Sequence, residues 1–128
     1  MAARQWRKLA INCAVNGLTV IYQCRNGVLL EHGAARARMT LLCEEIKQLG
    51  TALGYGAWVA DLRLHTESVL RATAANYNSM YQDIEHRRRT EIDYLNGYLL
   101  QQAQGLGIEC PENEKLYEEV KRREETFT

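Results

Sequence analysis

Lys8, Asn12 and Asn16 stand four residues apart, with Leu9-Ala10-Ile11 and Cys13-Ala14-Val15 filling the intervals between them. On an α-helix each step of four drifts only about 40° around the axis, so one ammonium and two amides share a face. Asparagine is a mediocre helix former and lysine resists burial, so such a stripe can serve as a hydrogen-bonding surface for a small polar ligand. On residue types alone, the solvent-facing side of an amphipathic helix is the better reading of it.

Three other patches could do chemistry. Asn26-Gly27 reads as a turn that could present an amide. The segment from Asn76 to Ile84 is dense in small hydrogen-bonding side chains, and Ser79 with Gln82 has the spacing of a capping box. Arg87-Arg88-Arg89 runs into Thr90-Glu91-Ile92-Asp93. The arginines stand among acidic neighbours and read as a solvated helix junction rather than a nucleic-acid surface. Glu91 suits a helix start through the dipole alone.

The elements that must position these residues read as helices. With a single proline and little β-branched alternation, helical periodicity dominates. The pattern predicts a first helix from Gln5 to about Gln23, ended by Arg25-Asn26-Gly27, and a second from about Ala34 to Leu53. A third is expected from near Trp58 or Ala60 to Ala74, and a short fourth from Ser79 to His86. Thr90 with Asp93 can open a fifth as a capping box, with Ile92, Leu95, Leu99 and Ala103 on its apolar face. Gly105 and Gly107 stop it, and Pro111 suits the first position of a last helix reaching about Glu125. The fold class is all-α, a compact bundle of about six helices, with residues 1–128 as one domain.

Composition narrows the function. Sixteen basic and sixteen acidic residues cancel, leaving no global field to draw in nucleic acid or an anionic membrane. No apolar run approaches the roughly 20 residues that span a bilayer. Cys13, Cys24, Cys43 and Cys110 form no CxxC pair and read as buried or free thiols of a cytoplasmic protein. His32, His65 and His86 show no metal-ligand spacing, so no metal site is expected. Gly54-Tyr55-Gly56 lacks the third glycine and preceding strand of a dinucleotide fingerprint, and no phosphate loop or nucleophile elbow is present.

In combination the patches carry more. Lys8-Leu9-Ala10-Ile11-Asn12 through Asn16-Gly17, then Asn26-Gly27, Ser79-Met80-Tyr81-Gln82-Asp83 and Thr90-Glu91-Ile92-Asp93-Tyr94-Leu95-Asn96-Gly97 follow in this order. That order resembles the C-terminal domain of the ketopantoate reductases (2-dehydropantoate 2-reductases), whose fold is 6-phosphogluconate dehydrogenase C-terminal-like. Pro111-Glu112-Asn113 through Tyr117 fits the family's last helix, and the likeness runs from about Trp6 to Lys121.

The resemblance implies an NADPH-dependent enzyme that reduces 2-dehydropantoate to pantoate on the route to coenzyme A. By motif, Lys8 matches the proton-donating lysine. Asn12, Asn16, Asn26 and Ser79 match substrate ligands, and Glu91 matches a glutamate that helps hold the cofactor. An ammonium aimed at the forming alkoxide would stabilise it and then protonate it, and partial burial of Lys8 would suit this role by lowering its pKa. The family's N-terminal Rossmann domain, which binds NADPH, is absent from this chain. The chain alone is therefore expected to bind no cofactor and to be inactive, and to form a homodimer through its exposed domain face. Two alternatives are an autonomous helical docking module and a reductase domain for another 2-keto acid. The family's usual prolines after the second asparagine and before the turn asparagine are replaced by Gly17 and Arg25, changes expected to loosen the backbone there.

Overall fold

The computed structural model describes residues 1–127. Its helices are α1 (Ala3–Tyr22), α2 (Val28–Glu31), α3 (Gly33–Ala52), α4 (Gly56–Val59), α5 (Leu62–Ala72), α6 (Ser79–Glu85), α7 (Asn96–Leu106) and α8 (Pro111–Glu125), with a 3-10 turn at Ile92–Tyr94. The described residues contain no strand, and none of their helices is long and apolar enough to cross a membrane. The fold is all-α, as the periodicity predicts.

Helix α1 is the central element, packing on α3, α5, α6 and α8. Every residue from Cys13 to Val20 is buried, including the polar Asn16 and Thr19. Its N-terminal half is covered less, so the stripe is graded: Lys8 is exposed, Asn12 half-buried and Asn16 only 9% exposed. Burial across the whole C-terminal half overrides the simple amphipathic pattern.

Close approaches explain two glycines. A Cβ on Gly50 would lie 2.8 Å from the ring of Trp6, which is buried and stacked on Tyr55 with centroids 5.3 Å apart. A Cβ on Gly27 would lie 2.6 Å from that of Ala74. The Asn26 and Gly27 N–H groups donate to the Asn76 and Ala74 carbonyls at 3.0 and 3.1 Å, drawing the loop after α1 against the loop after α5. Gly27 is thus required by contact between chain segments rather than by an unusual dihedral.

Several local expectations are refined. Helices α2 and α4 are single turns that interrupt stretches read as loop or as one longer helix. The cap of α6 is Asn78, whose Oδ1 accepts from the Tyr81 N–H at 3.0 Å, not Ser79. Thr90 opens no α-helix: the 3-10 turn follows it and α7 begins at Asn96. Both positions expected to loosen the backbone have packed neighbours. Helix α1 runs unbroken through Gly17, with the Leu116 side chain packed 3.0 Å from where its Cβ would stand. Arg25 donates to the Ala75 carbonyl at 3.3 Å and lies 4.8 Å from the Tyr77 ring centroid, bracing the loop.

Candidate functional site

The asparagines divide by what their amides do. Asn96 is fully buried, and its Nδ2 donates to the Cys13 carbonyl at 3.1 Å and to Asn113 Oδ1 at 2.9 Å. Asn113 in turn donates to Glu45, whose carboxylate also accepts the Glu112 and Asn113 backbone N–H groups at the start of α8. This chain of bonds ties α1, α7, α3 and α8 together. Asn26 is committed in part: its Nδ2 donates one N–H to Thr73 Oγ1 at 3.0 Å and its Oδ1 accepts from Asn78 at 3.1 Å, which leaves the second N–H without a partner among the described residues.

The Asn12 and Asn16 amides have no such partners. Asn16 lines a narrow cleft with Ser79, Met80, Asp83, Glu91 and Leu95, where α1, α6 and the 3-10 turn meet; in this chain it is closed, with no room for a water-sized molecule. Among the described residues, no group hydrogen-bonds either end of the Asn16 amide, the Ser79 hydroxyl, the Glu91 carboxylate or the Lys8 amine. Both ends of the Asn16 amide keep contact with solvent, whereas Asn96 Oδ1 is fully buried without a partner. The cleft therefore presents donors and acceptors that the fold itself leaves unused.

Structure brings three of the six sequence-predicted residues, Asn16, Ser79 and Glu91, into one cleft. Asn12 lies one turn before Asn16 on the same helix face. Lys8 lies two turns before it, about 12 Å along the axis. Lys8 is exposed, so within this chain it is not the partly desolvated lysine the sequence led us to expect. Asn26 does not line the cleft; it lies in the loop that Gly27 docks and is joined to the residue before Ser79 by its bond from Asn78.

Sequence reasoning missed the residues that hold the cleft's walls. Glu124, 8% exposed, accepts from the Thr90 N–H at 2.7 Å and hydroxyl at 2.6 Å, and from Lys121 at 3.1 Å. Asp93 accepts from Tyr117 and Lys121. These bonds bracket Glu91 and fasten its turn to α8. Only the proximity of Thr90 to Glu91 hinted at this, because the partner stands 34 residues away.

Burial opposes ionisation of Glu124, but the Thr90 hydrogen bonds and the Lys121 ammonium outweigh it and hold the carboxyl below its usual 4.5. The Tyr117 hydroxyl chiefly, with Lys121, holds Asp93 below 3.8. Both folded values lie below the unfolded ones, so their contribution is complete above about pH 5 and is lost as pH falls through the folded values. Urea midpoints should therefore be flat from pH 5 to 7 and fall below pH 4.5, less steeply in Glu124→Gln; equal slopes would contradict this. All four cysteines are unpaired, and burial pushes Cys43 and Cys110 up to about 11 and raises Cys13 well above its usual value.

Comparison with known proteins places this architecture. Residues 1–124 match the ketopantoate reductase PanE/ApbA C-terminal family. The chain is 43% identical over 125 residues to the 2-dehydropantoate 2-reductase of Salmonella typhimurium, covering 98% of this chain and 40% of that one. It is 45% identical over 125 residues to that of Escherichia coli O157:H7, with the same coverage, 98% and 40%. It thus spans about two fifths of the length of these relatives. The ketopantoate reductase of Ralstonia eutropha JMP134 superposes with a TM-score of 0.86 at 30% identity, over 95% of this chain and 41% of that one. D-mandelate dehydrogenase solved with NADH and anilino(oxo)acetate gives 0.87 at 28% identity, over 95% and 40%. The sequence motifs, the helical architecture and these matches agree: the chain belongs to the ketopantoate reductase family, as its C-terminal domain.

Proposed function

We propose that this chain is the substrate-facing half of an NADPH-dependent 2-dehydropantoate 2-reductase, with Lys8 as the proton donor. The observation that supports this reading is the meeting of three polar groups without partners, the Asn16 amide, the Ser79 hydroxyl and the Glu91 carboxylate, at one crevice between α1, α6 and the 3-10 turn. Asn12, Asn16, Asn26 and Ser79 bind the carboxylate and hydroxyl groups of the keto acid. Neutral amides orient a carboxylate without adding a titrating group that competes for the proton. The Lys8 ammonium stabilises the carbonyl oxygen as it gains charge and then transfers a proton from Nζ to it, giving the alcohol.

NADPH supplies the hydride when bound. The unpaired, exposed Glu91 carboxylate at the cleft rim fits one hydrogen-bond donor of that cofactor. The chain carries no glycine-rich phosphate loop, so its share in holding the cofactor is this rim contact. An exposed Lys8 also fits this picture, because a docked nucleotide-binding domain would close over it and exclude water.

The test is an NADPH-oxidation assay with 2-dehydropantoate. The isolated chain should give no rate above a Lys8→Ala control, whereas the chain joined to a nucleotide-binding domain should turn over. Failure of the joined protein with 2-dehydropantoate, but turnover of another 2-keto acid, would favour the second reading. The likeness to D-mandelate dehydrogenase supports that alternative: amides that read a carboxylate leave the rest of the acid unspecified.

A further inference from the structure

Asn78 occupies the centre of a hydrogen-bonded chain that touches three residues of the proposed site. Its Oδ1 accepts the Tyr81 N–H at 3.0 Å. Its Nδ2 donates to Thr19 Oγ1 at 2.8 Å and to Asn26 Oδ1 at 3.1 Å. Thr19 donates onward to the Asn16 carbonyl at 2.8 Å. Asn26 donates to Thr73, which donates to the Val69 carbonyl at 2.8 Å. Ser79, the first residue of α6, follows directly in the chain.

The direction of every bond in this network is set by backbone groups. A backbone N–H can only donate, so the Tyr81 amide fixes which end of Asn78 is oxygen. Its nitrogen must then face Thr19 and Asn26, and Asn26 must turn its oxygen toward it. At the far ends, the Asn16 and Val69 carbonyls can only accept, so both threonine hydroxyls point at them and accept on their other side. The two constraints agree on one orientation of the Asn26 amide, with its nitrogen toward Thr73. One N–H of that nitrogen is used by Thr73, and the second has no partner among the described residues.

We infer that Asn78 is a positioning residue that determines which end of the Asn26 amide is offered to a ligand, presenting an N–H rather than an oxygen. This rests on the proposed reading only for what the ligand is, a carboxylate-bearing keto acid; the orientation itself is a property of the folded chain. Asn78→Asp separates the two roles of the residue. An aspartate still caps α6, because its carboxylate accepts the Tyr81 N–H. It cannot donate to Thr19 or Asn26. The Asn26 amide then turns over to donate to it, and an oxygen replaces the free N–H.

The experiment uses the whole chain, labelled for NMR. Without substitution, the Asn26 side-chain amide protons should show NOEs to the Thr73 methyl. In Asn78→Asp those NOEs should be lost and replaced by NOEs to the β-protons at position 78, and pantoate should bind at least tenfold more weakly. NOEs that stay with Thr73 in the variant would overturn the inference. Should Asn78→Asp fail to fold, Thr73→Val provides the same decision. Asn78 remains there, so the Asn26 amide should keep its orientation, and averaging between two orientations would overturn the inference. If the unsubstituted chain binds no pantoate, the proposed reading fails, while the NOEs still decide the role of Asn78.

Discussion

Asn96→Asp should be among the most destabilising single substitutions in this chain, lowering its stability by roughly 3–5 kcal/mol, as expected for a buried charge left without a partner. Asn96 has no exposed surface, and its Nδ2 faces two acceptors, the Cys13 carbonyl and Asn113 Oδ1. An aspartate would place oxygen against both, and Glu45 stands at the end of the same chain of bonds. A loss of this size is a large share of the roughly 5–15 kcal/mol that holds a typical domain together. Because burial favours the neutral acid, the deficit relative to the unsubstituted chain should grow as pH rises above the aspartate's unfolded pKa of about 3.9. Asn96→Leu should cost less, roughly 1–3 kcal/mol, since it leaves acceptors short of a donor without burying a charge. Urea denaturation at pH 4 and pH 7 checks both; a variant as stable at pH 7 as the unsubstituted chain would contradict the buried network.

Lys8→Ala should behave in the opposite way. Lys8 is exposed and makes no ion pair, so its removal should change stability by no more than about 0.5 kcal/mol. In the protein joined to a nucleotide-binding domain, the same substitution should lower kcat by roughly 100- to 10,000-fold, the usual worth of a positioned general acid. Lys8→Gln, which keeps a donor but supplies no transferable proton, should recover little of it. Thermal melting and steady-state kinetics on the same samples separate the two effects. A kcat within threefold of the parent would remove Lys8 from the chemistry.

The contrast between Asn96 and Lys8 shows what the sequence made legible. Long helices are readable because their apolar residues repeat over several turns and are bounded by Asn26-Gly27, Gly107 and Pro111. Helices α2 and α4 were not, since four residues carry no period. The capping error at Asn78 has a local cause: Asn78 and Ser79 are both good caps, and only the Tyr81 N–H chooses between them. Asn96 and Asn26 look as free in sequence as Asn16 does. What distinguishes them is a partner 83 residues away for Asn96 and 47 for Asn26, and no partner for Asn16. Convergence of Asn16, Ser79 and Glu91 came from motif resemblance, because spacing along the chain says nothing about distances between helices. Thr90 has the residue type of a helix start, yet its hydroxyl and N–H serve Glu124 on α8.

The decisive measurement is a pantoate titration of the isotope-labelled chain, followed through its side-chain amides. Saturable shifts are expected of the Asn12 and Asn16 amides and of the Ser79 backbone N–H at millimolar pantoate, with the Asn96 and Asn113 amides unmoved. Unchanged Asn12 and Asn16 amides at saturating pantoate, or equal shifts across the buried network, would contradict it.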